Sequence, residues 1–382
     1  MAFEFCCKGP VTSLASRVFP ASAGVACVLL AASNVCLAQE QGELPRFTPL
    51  EERCISLGSA GLLMKYSSYG TFGAVQNRIG QSRSAIEVSR LPGRPAEGYT
   101  DSSSQLILPV DVITAVPGTA SSFLKLGASA NINRGSERLT HVDVDTFRTE
   151  AQYLWSPTAA GFVGVGAFVE GIDIDMHHNG SSVDNDGRGL RADVVRRFGA
   201  HWGFAARVEH TWIDQAVRSP IPGGRVFAVD QDVRRLYSQA DLVGTYTKET
   251  CTWLPQGYLL RPLLGLNYMN TRFETARSNL GTLVSGTVGQ DDSYVSGSTA
   301  LRLERAVSGP ALFAPFAEFG LEHEFTNDLD AKVSDPDIAH SAVGFSSTLG
   351  RNVRLDIEYS RYDGLRGRRR AQSLTVHVGA SF

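Results

Sequence analysis

The chain has no long apolar run beyond its N-terminus and no excess of basic residues. Nothing after residue 40 approaches the ~18 consecutive apolar residues that a membrane-spanning helix needs, so the sequence excludes transmembrane helices. The formal net charge is −3, which argues against nucleic acid as a partner. Any membrane association must therefore use another architecture.

Cysteine is also scarce once the N-terminal leader is set aside. Residues 1–38 have the features of a secretory signal peptide: a stretch with two basic residues, an apolar core at 21–30 and a small-residue cleavage site ending at Ala38. Four of the six cysteines leave with this leader, so only Cys54 and Cys251 remain. So few cysteines in an exported protein argue against a disulfide-stabilised scaffold.

The last twelve residues, AQSLTVHVGASF, alternate strictly between apolar and small or polar side chains. Successive side chains of a strand point to opposite faces, so one face of this strand is wholly apolar. A strand with lipid on one side and a polar lumen on the other has this pattern. The segment resembles the C-terminal assembly signal of outer-membrane β-barrels, and its apolar face comprises Leu374, Val376, Val378, Ala380 and Phe382.

Similar segments recur from residue 121 onward, and they predict an all-β fold. About twelve alternating stretches of ten residues or so are separated by turn chemistry, which favours an antiparallel transmembrane barrel spanning 121–382. Short and long connections alternate, as expected for periplasmic turns and external loops. Among the long connections we expect an external loop at 214–232. The alternation changes phase at 169–171, where we expect a β-bulge.

Two tryptophans mark the expected membrane boundaries. Trp202 and Trp212 fall on one face of a single predicted strand. Ten residues at ~3.3 Å each, tilted near 45°, separate them by roughly 23 Å along the membrane normal. That distance matches the spacing of two interfacial aromatic girdles.

Charged residues of both signs lie on the faces that would line the lumen. They can pair across neighbouring strands, as a structural lattice or as a polar surface for a linker or a solute. The predicted pore-lining residues are Arg261, Arg302, Glu304, Glu318, Glu322, Arg354, Asp356 and Glu358.

Residues 39–120 form a different, shorter segment. Within it, 105–116 is predicted to be a strand, which we assign to the periplasm. Residues 71–90 are predicted to form an amphipathic helix, with Phe72, Val75, Ile79 and Ile86 on one face. Such a helix would be about 30 Å long, enough to cross the hydrocarbon layer inside a pore.

The chain from about 121 to 382 resembles the translocator β-domain of autotransporters (type V secretion). The resemblance rests on segments 259–268, 273–275, 315–318, 323–325 and 359–364, on the terminal Ser381-Phe382, and on residues 75–78, which are similar to a linker helix. It implies an outer-membrane protein of a Gram-negative bacterium that anchors or exports its own N-terminal segment. It also implies dependence on barrel assembly machinery and periplasmic chaperones, contact with lipid and lipopolysaccharide, and a monomeric state. A passive channel or surface antigen without an export role is the alternative.

A hydrolase acting at the barrel rim is a third, weaker hypothesis. His177, His178, His210 and Asp214 are candidate groups, but the sequence has neither a G-x-S-x-G nor an H-E-x-x-H motif. The paired histidines could hold a metal loosely with Asp173 and Asp175, although a solvated loop base explains them better. We therefore predict no enzyme activity, no cofactor and no metal. The basic residues of 366–370 are expected to contact lipopolysaccharide phosphates or to form a solvated loop tip.

Overall fold

The computed structural model describes an all-β protein whose strands close into one barrel. The described residues are 101–119, 121–136, 142–158, 161–177, 180–198, 201–221, 223–284, 291–305, 313–328, 335–349 and 353–381. Of the predicted features, the leader, the helix at 71–90, Cys54, His178 and Phe382 lie outside these residues. Among the described residues, none lies in a helix long and apolar enough to span a membrane.

Thirteen strands form the wall, and two very short ones form a separate hairpin. Their bounds are β1 Asp101–Ala115, β2 Ser122–Gly135, β3 Val142–Thr158, β4 Gly161–Met176, β5 Ser181–Phe198, β6 Trp202–Ile221, β7 Arg225–Gly244, β8 Tyr258–Phe273, β9 Ala276–Arg277, β10 Leu283–Val284, β11 Asp291–Arg305, β12 Ala314–Asn327, β13 Asp337–Leu349, β14 Val353–Gly364 and β15 Arg369–Ser381. The hairpin consists of β9 and β10.

The wall agrees with the predicted antiparallel barrel and adds one strand to it. Strands β2 to β8 and β11 to β15 follow one another antiparallel, while β1 pairs antiparallel with β2 and parallel with β15. An odd number of strands requires one parallel pair, because strand directions cannot otherwise alternate around a closed ring. The strand predicted at 105–116 is therefore confirmed, but its predicted periplasmic position is wrong, since β1 lies in the wall.

The parallel pairing fixes the direction of β1. We call the barrel end at which the chain reaches Ser381 the lower end, and the opposite end the upper end. Asp101 is in register with Arg369, and Ile113 is in register with Ser381. The chain therefore enters the wall at the upper end and descends along β1 before it ascends along β2.

An apolar belt surrounds the barrel at mid-height. Its outward side chains are large and strongly exposed, with exposed fractions of 57% for Leu190, 61% for Phe319 and 55% for Val343. Their inward neighbours are largely polar and buried, as Arg191 and Glu318 are. A continuous apolar exterior around a polar interior matches a barrel with its belt in lipid.

The phase change at 169–171 is not a bulge, so that prediction is wrong. Strand β4 pairs without interruption with both β3 and β5 through these residues. What changes is the environment of each face. Above Val169 the outward positions carry Asp173 and Asp175, and the inward positions carry Ile172 and Ile174. The sheet continues beyond the belt, where its outer face meets water instead of lipid.

The external loop predicted at 214–232 is also largely strand. Strand β6 continues to Ile221 and β7 begins at Arg225. Gly223 and Gly224 have φ values of 89° and 74°, the left-handed conformation that a tight hairpin connection requires. The connection between the two strands is thus only three residues long.

Candidate functional site: the barrel lumen and the β1 seam

A dense ionic network fills the lumen beside β2 to β6. Arg148 donates to both carboxylate oxygens of Glu209, each at 2.9 Å. Arg191 binds Glu150 at 2.7 Å and also Asp193. These side chains are nearly inaccessible to solvent, and each charge is balanced by a partner on another strand or two positions along its own. The network therefore ties the strands together across the interior.

Small residues make room for this network. The Arg148 guanidinium lies 3.6 Å above the centre of the Phe168 ring. A Cβ atom at Gly189 would lie 2.3 Å from the Phe168 Cζ, so only glycine accommodates the ring there. The aromatic ring thus separates the arginine from the strand behind it.

A second ionic network lies on the opposite wall, among the residues predicted to line a pore. Arg261 donates to Glu304 at 2.6 Å, and Arg302 donates to the other Glu304 oxygen at 2.9 Å. Arg302 also approaches Glu318 at 3.5 Å and Glu358 at 3.9 Å. The remaining three predicted residues face inward on the same side: Glu322 accepts a hydrogen bond from Tyr294, and Arg354 pairs with Asp356.

The seam between β1 and β15 combines a parallel ladder with a buried histidine that contacts three strands. His377 lies between two carboxylates, with its Nε2 2.7 Å from Asp111 on β1 and its Nδ1 3.0 Å from Asp356 on β14. The backbone register of β1 with β15 is interrupted at Leu108 and Pro109, whereas the register with β2 runs through both. Proline has no N–H to donate, so the seam lacks ladder bonds where the histidine contact lies close by.

Sequence reasoning missed this seam. In the terminal segment AQSLTVHVGASF, His377 counts only as one of the small or polar side chains opposite the apolar face, and Asp111 has no role assigned from the sequence. A signal was available, because Asp111 is the single charged residue in the apolar stretch QLILPVDVITAV. An ionisable residue in such a stretch indicates a partner inside the barrel.

The described members of the predicted assembly and girdle sets lie on the outer surface. Leu374 is exposed, and Val376, Val378 and Ala380 are half-buried on the same face of β15. Trp202 and Trp212 lie ten positions apart on the outward face of β6, and their role as an interfacial girdle stays a prediction. The Trp202 ring packs edge-on against a tyrosine, with the ring centroids 6.4 Å apart.

The hydrolase candidates are not assembled into a site. His177 pairs with Asp143 at 2.9 Å, and the His210 ring packs edge-on against Trp212 with centroids 4.5 Å apart. Asp214 is exposed farther along the same outward face. The partner of His177 is thus a carboxylate that faces water, and the partner of His210 is an aromatic ring. Among the described residues, no group of side chains is suited to hold a metal ion.

Comparison with known proteins identifies the architecture. The family description "Autotransporter beta-domain" matches residues 125–361. The chain belongs to the autotransporter β-domain family. It is an outer-membrane protein of the Gram-negative type. The autotransporter prediction is confirmed.

Two solved autotransporter barrels are similar to this chain at low sequence identity. The β-domain of the Bordetella autotransporter BrkA is 15% identical, with a TM-score of 0.47, over 68% of this chain and 95% of that chain. The translocator domain of NalP from Neisseria meningitidis is 12% identical, with a TM-score of 0.46, over 74% of this chain and 88% of that chain. A comparison with curated proteins finds no match. Autotransporter barrel domains reside in the outer membrane and need its machinery.

Proposed function

We propose that this barrel anchors its own N-terminal segment, residues 39–100, and exports it to the cell surface without catalysing a reaction. The direction of β1 carries the proposal. Asp101 begins β1 at the upper end of the barrel. We place this end outside the cell, because β6 and β7 rise beyond the belt there and the longest connection, 274–290, joins β8 and β11 at that end. A chain that leaves the signal peptide in the periplasm reaches that point only if the residues just before Asp101 have crossed the outer membrane, and we propose that the rest of 39–100 crosses with them.

The passive-channel alternative is less well supported by the lumen. A channel needs a continuous water-filled path, whereas Arg207 is 2% exposed and Glu209 is also 2% exposed in the ionic network. These groups bind one another instead of facing open solvent. We therefore expect the purified barrel to conduct poorly in planar bilayers, and large steady conductance would favour the channel.

The proposed partners are lipid, lipopolysaccharide and the assembly machinery. Arg188, Trp212, Arg234 and Arg272 lie in one register row at the upper edge of the belt and face outward. Guanidinium groups at that level are suited to lipopolysaccharide phosphates. The hairpin at 366–370 is a weaker candidate, because Arg369 turns inward to Glu324. We expect barrel assembly machinery and periplasmic chaperones to insert the protein, which then acts as a monomer.

The two remaining cysteines test the export proposal. Cys251 is a free thiol in the turn between β7 and β8, at the lower end. We expect a membrane-impermeant maleimide to label Cys54 on intact cells and to label Cys251 only after the outer membrane is permeabilised. Cys251 thus serves as the internal control for membrane integrity.

The same pair gives an independent result. Bridged cysteines have α-carbons within about 7 Å, so thiols on opposite sides of a membrane cannot pair. Non-reducing mass spectrometry of the mature protein should find both thiols free. An intramolecular Cys54–Cys251 disulfide would refute export of the N-terminal segment and favour a plain barrel.

A further inference from the structure

Three arginines and a tryptophan mark the upper edge of the belt on β5 to β8. Arg188, Trp212, Arg234 and Arg272 are aligned by the cross-strand register and face outward, and we call them the edge row. The outward residue directly below Arg188 on β5 is Leu190, an exposed member of the belt. The guanidinium groups therefore stand at the level where hydrocarbon ends and lipid headgroups begin.

The arginines of the edge row differ in what they bind. Arg272 makes two hydrogen bonds to Asp291, at 3.0 and 3.1 Å. Arg234 makes one to Glu274, at 2.7 Å. Arg188 is exposed, and its side chain has no hydrogen bond or ion pair with any residue that the structure describes. Of the three, Arg188 has the charge that is most available to an external anion.

Carboxylates lie one outward position above the edge row. Asp186, Asp214 and Asp232 are cross-strand neighbours, and all three are exposed. Like charges directly opposite one another on a sheet repel, and the same carboxylates repel an approaching phosphate. An anionic headgroup is therefore disfavoured at the level of the aspartates and attracted one position lower, by Arg188 and Arg234. The charge pattern sets the depth at which a phosphate binds.

We propose that Arg188 and Arg234, on either side of Trp212, bind the phosphates of one lipopolysaccharide molecule. The inference deepens the proposed function and rests on it, because the orientation given there puts the edge row in the outer leaflet, where this lipid lies. The phosphates lie between β5 and β7, and the acyl chains run down the belt past Leu190 and Leu236.

The spacing of the two arginines fits a lipid with two phosphates. Strands β5 and β7 are separated by β6, so their backbones are about 10 Å apart at ~4.8 Å per step. A guanidinium group forms parallel charge-assisted hydrogen bonds with phosphate oxygens. Trp212 occupies the gap, and its ring packs edge-on against His210 with the centroids 4.5 Å apart. The indole thus provides a supported apolar surface between the two charges.

The ion pair of Arg234 does not prevent this contact. The side chains of Arg234 and Glu274 are 57% and 46% exposed, and ion pairs between exposed side chains contribute little stability. Arg234 can therefore exchange the carboxylate for a phosphate, because Glu274 stays in water after the exchange. Arg272 is held by two hydrogen bonds, and we expect it to remain with Asp291.

Native mass spectrometry of the purified mature protein in detergent measures the binding. The probe is lipid A with two phosphates, and the comparison lipid has the same acyl chains and no phosphate. We expect one bound lipid A per barrel and at least about tenfold weaker binding of the dephosphorylated lipid, since the charge-assisted hydrogen bonds are lost. Equal affinity for both would overturn the site. Equally tight binding of phosphatidylglycerol would overturn lipopolysaccharide as its specific ligand.

A matched pair of variants locates the site. Arg188→Gln should weaken the binding of lipid A by about tenfold, because it removes one phosphate contact. Arg361→Gln is the control: it removes the same charge from an exposed arginine on β14 that already makes two hydrogen bonds to Asp363. It should leave the affinity unchanged. Unchanged affinity in Arg188→Gln, or an equal loss in both variants, would overturn the assignment.

The aspartates test the depth of the bound phosphate. Asp186→Asn removes the carboxylate two residues before Arg188 on the outward face of β5. Since this carboxylate repels the phosphate, its removal should raise the affinity for lipid A. Unchanged or weaker binding in Asp186→Asn would overturn the assigned depth.

Labelling of the two cysteines separates this proposal from the proposed function. If Cys54 reacts with the impermeant maleimide on intact cells but Arg188→Gln binds lipid A like the parent protein, export stands and the lipid site fails. If Cys54 is protected while Arg188→Gln loses affinity, export fails and the lipid site stands. Labelling of Cys251 on intact cells would put the edge row in the inner leaflet and overturn lipopolysaccharide as the ligand.

Discussion

A charge introduced into the apolar belt should destabilise the barrel far more than the same charge above it. Val208 faces outward on β6, six positions after Trp202 and four before Trp212. At ~3.3 Å per residue and a tilt near 45°, it lies about 14 Å above the lower tryptophan and close to the middle of a roughly 23 Å belt. Arginine at the bilayer midplane of such a barrel costs about 2–4 kcal/mol.

The matched control is on the same face of the same strand. Ala216 lies about 19 Å above Val208, beyond the belt, and its cross-strand neighbours are Asp184 and Asp230. An arginine between two carboxylates should be neutral or stabilising by about 0.2–1 kcal/mol. Both substitutions introduce arginine, so the comparison reports the depth of each site in the membrane and its cross-strand neighbours.

Reversible unfolding of the purified barrel in lipid vesicles, followed by denaturant titration, measures both effects. Val208→Arg should lower the folding equilibrium constant roughly 30- to 700-fold, since every 1.4 kcal/mol is tenfold. Ala216→Arg should leave it unchanged or raise it. A loss in Ala216→Arg as large as that in Val208→Arg would refute the assignment of the upper membrane boundary.

Three further predictions address the lumen, the seam and assembly. Arg148→Met removes the bidentate partner of buried Glu209. In the same titration the free energy of unfolding should fall by about 3–5 kcal/mol, and a fall below ~1 kcal/mol would contradict a stabilising ionic network. Asp111→Ala removes the carboxylate that binds His377 across the seam. Amide hydrogen exchange should therefore accelerate in β1 and β15 but not in β5 and β6. Equal exchange rates in parent and variant would argue against a stabilising role of the histidine contact at the seam. Deletion of Phe382 should leave the protein degraded in the periplasm, which fractionation and immunoblotting would detect. Normal amounts of the variant in the outer membrane would contradict a role of Phe382 as an assembly signal.

The sequence alone was sufficient for the wall of the barrel because its signal is local. Alternation with a period of two residues defines each strand and both of its faces, as in β15 from Leu374 to Ala380. Every strand crosses the same apolar belt, so the same alternation of apolar and polar side chains recurs along the chain. This recurrence predicts the antiparallel barrel. Inward position follows from strand parity, and Arg261, Arg302 and Glu304 occupy inward positions. Their role as pore-lining residues stays a prediction.

Where the environment changes along a strand, alternation misleads. On β4 the polarity of both faces reverses above Val169, which looks in sequence like a shift of register. The pairing of β4 with its neighbours is continuous, and only the level of the membrane edge explains the reversal. Strands β6 and β7 continue beyond the belt into water, where outward-facing side chains no longer need to be apolar. The alternation expected of a strand in lipid therefore does not identify these parts of the two strands.

Only the tertiary structure decided how the barrel closes. Residues 105–116 were recognisable as a strand, but their partners, β2 and β15, are respectively next to them and more than 250 positions away in the chain. Which strand completes a ring depends on register, tilt and the fit of the whole wall, and none of these is encoded in a local pattern. The contact of Asp111 with His377, and with it the direction in which the chain enters the barrel, therefore emerged only when the ring was closed.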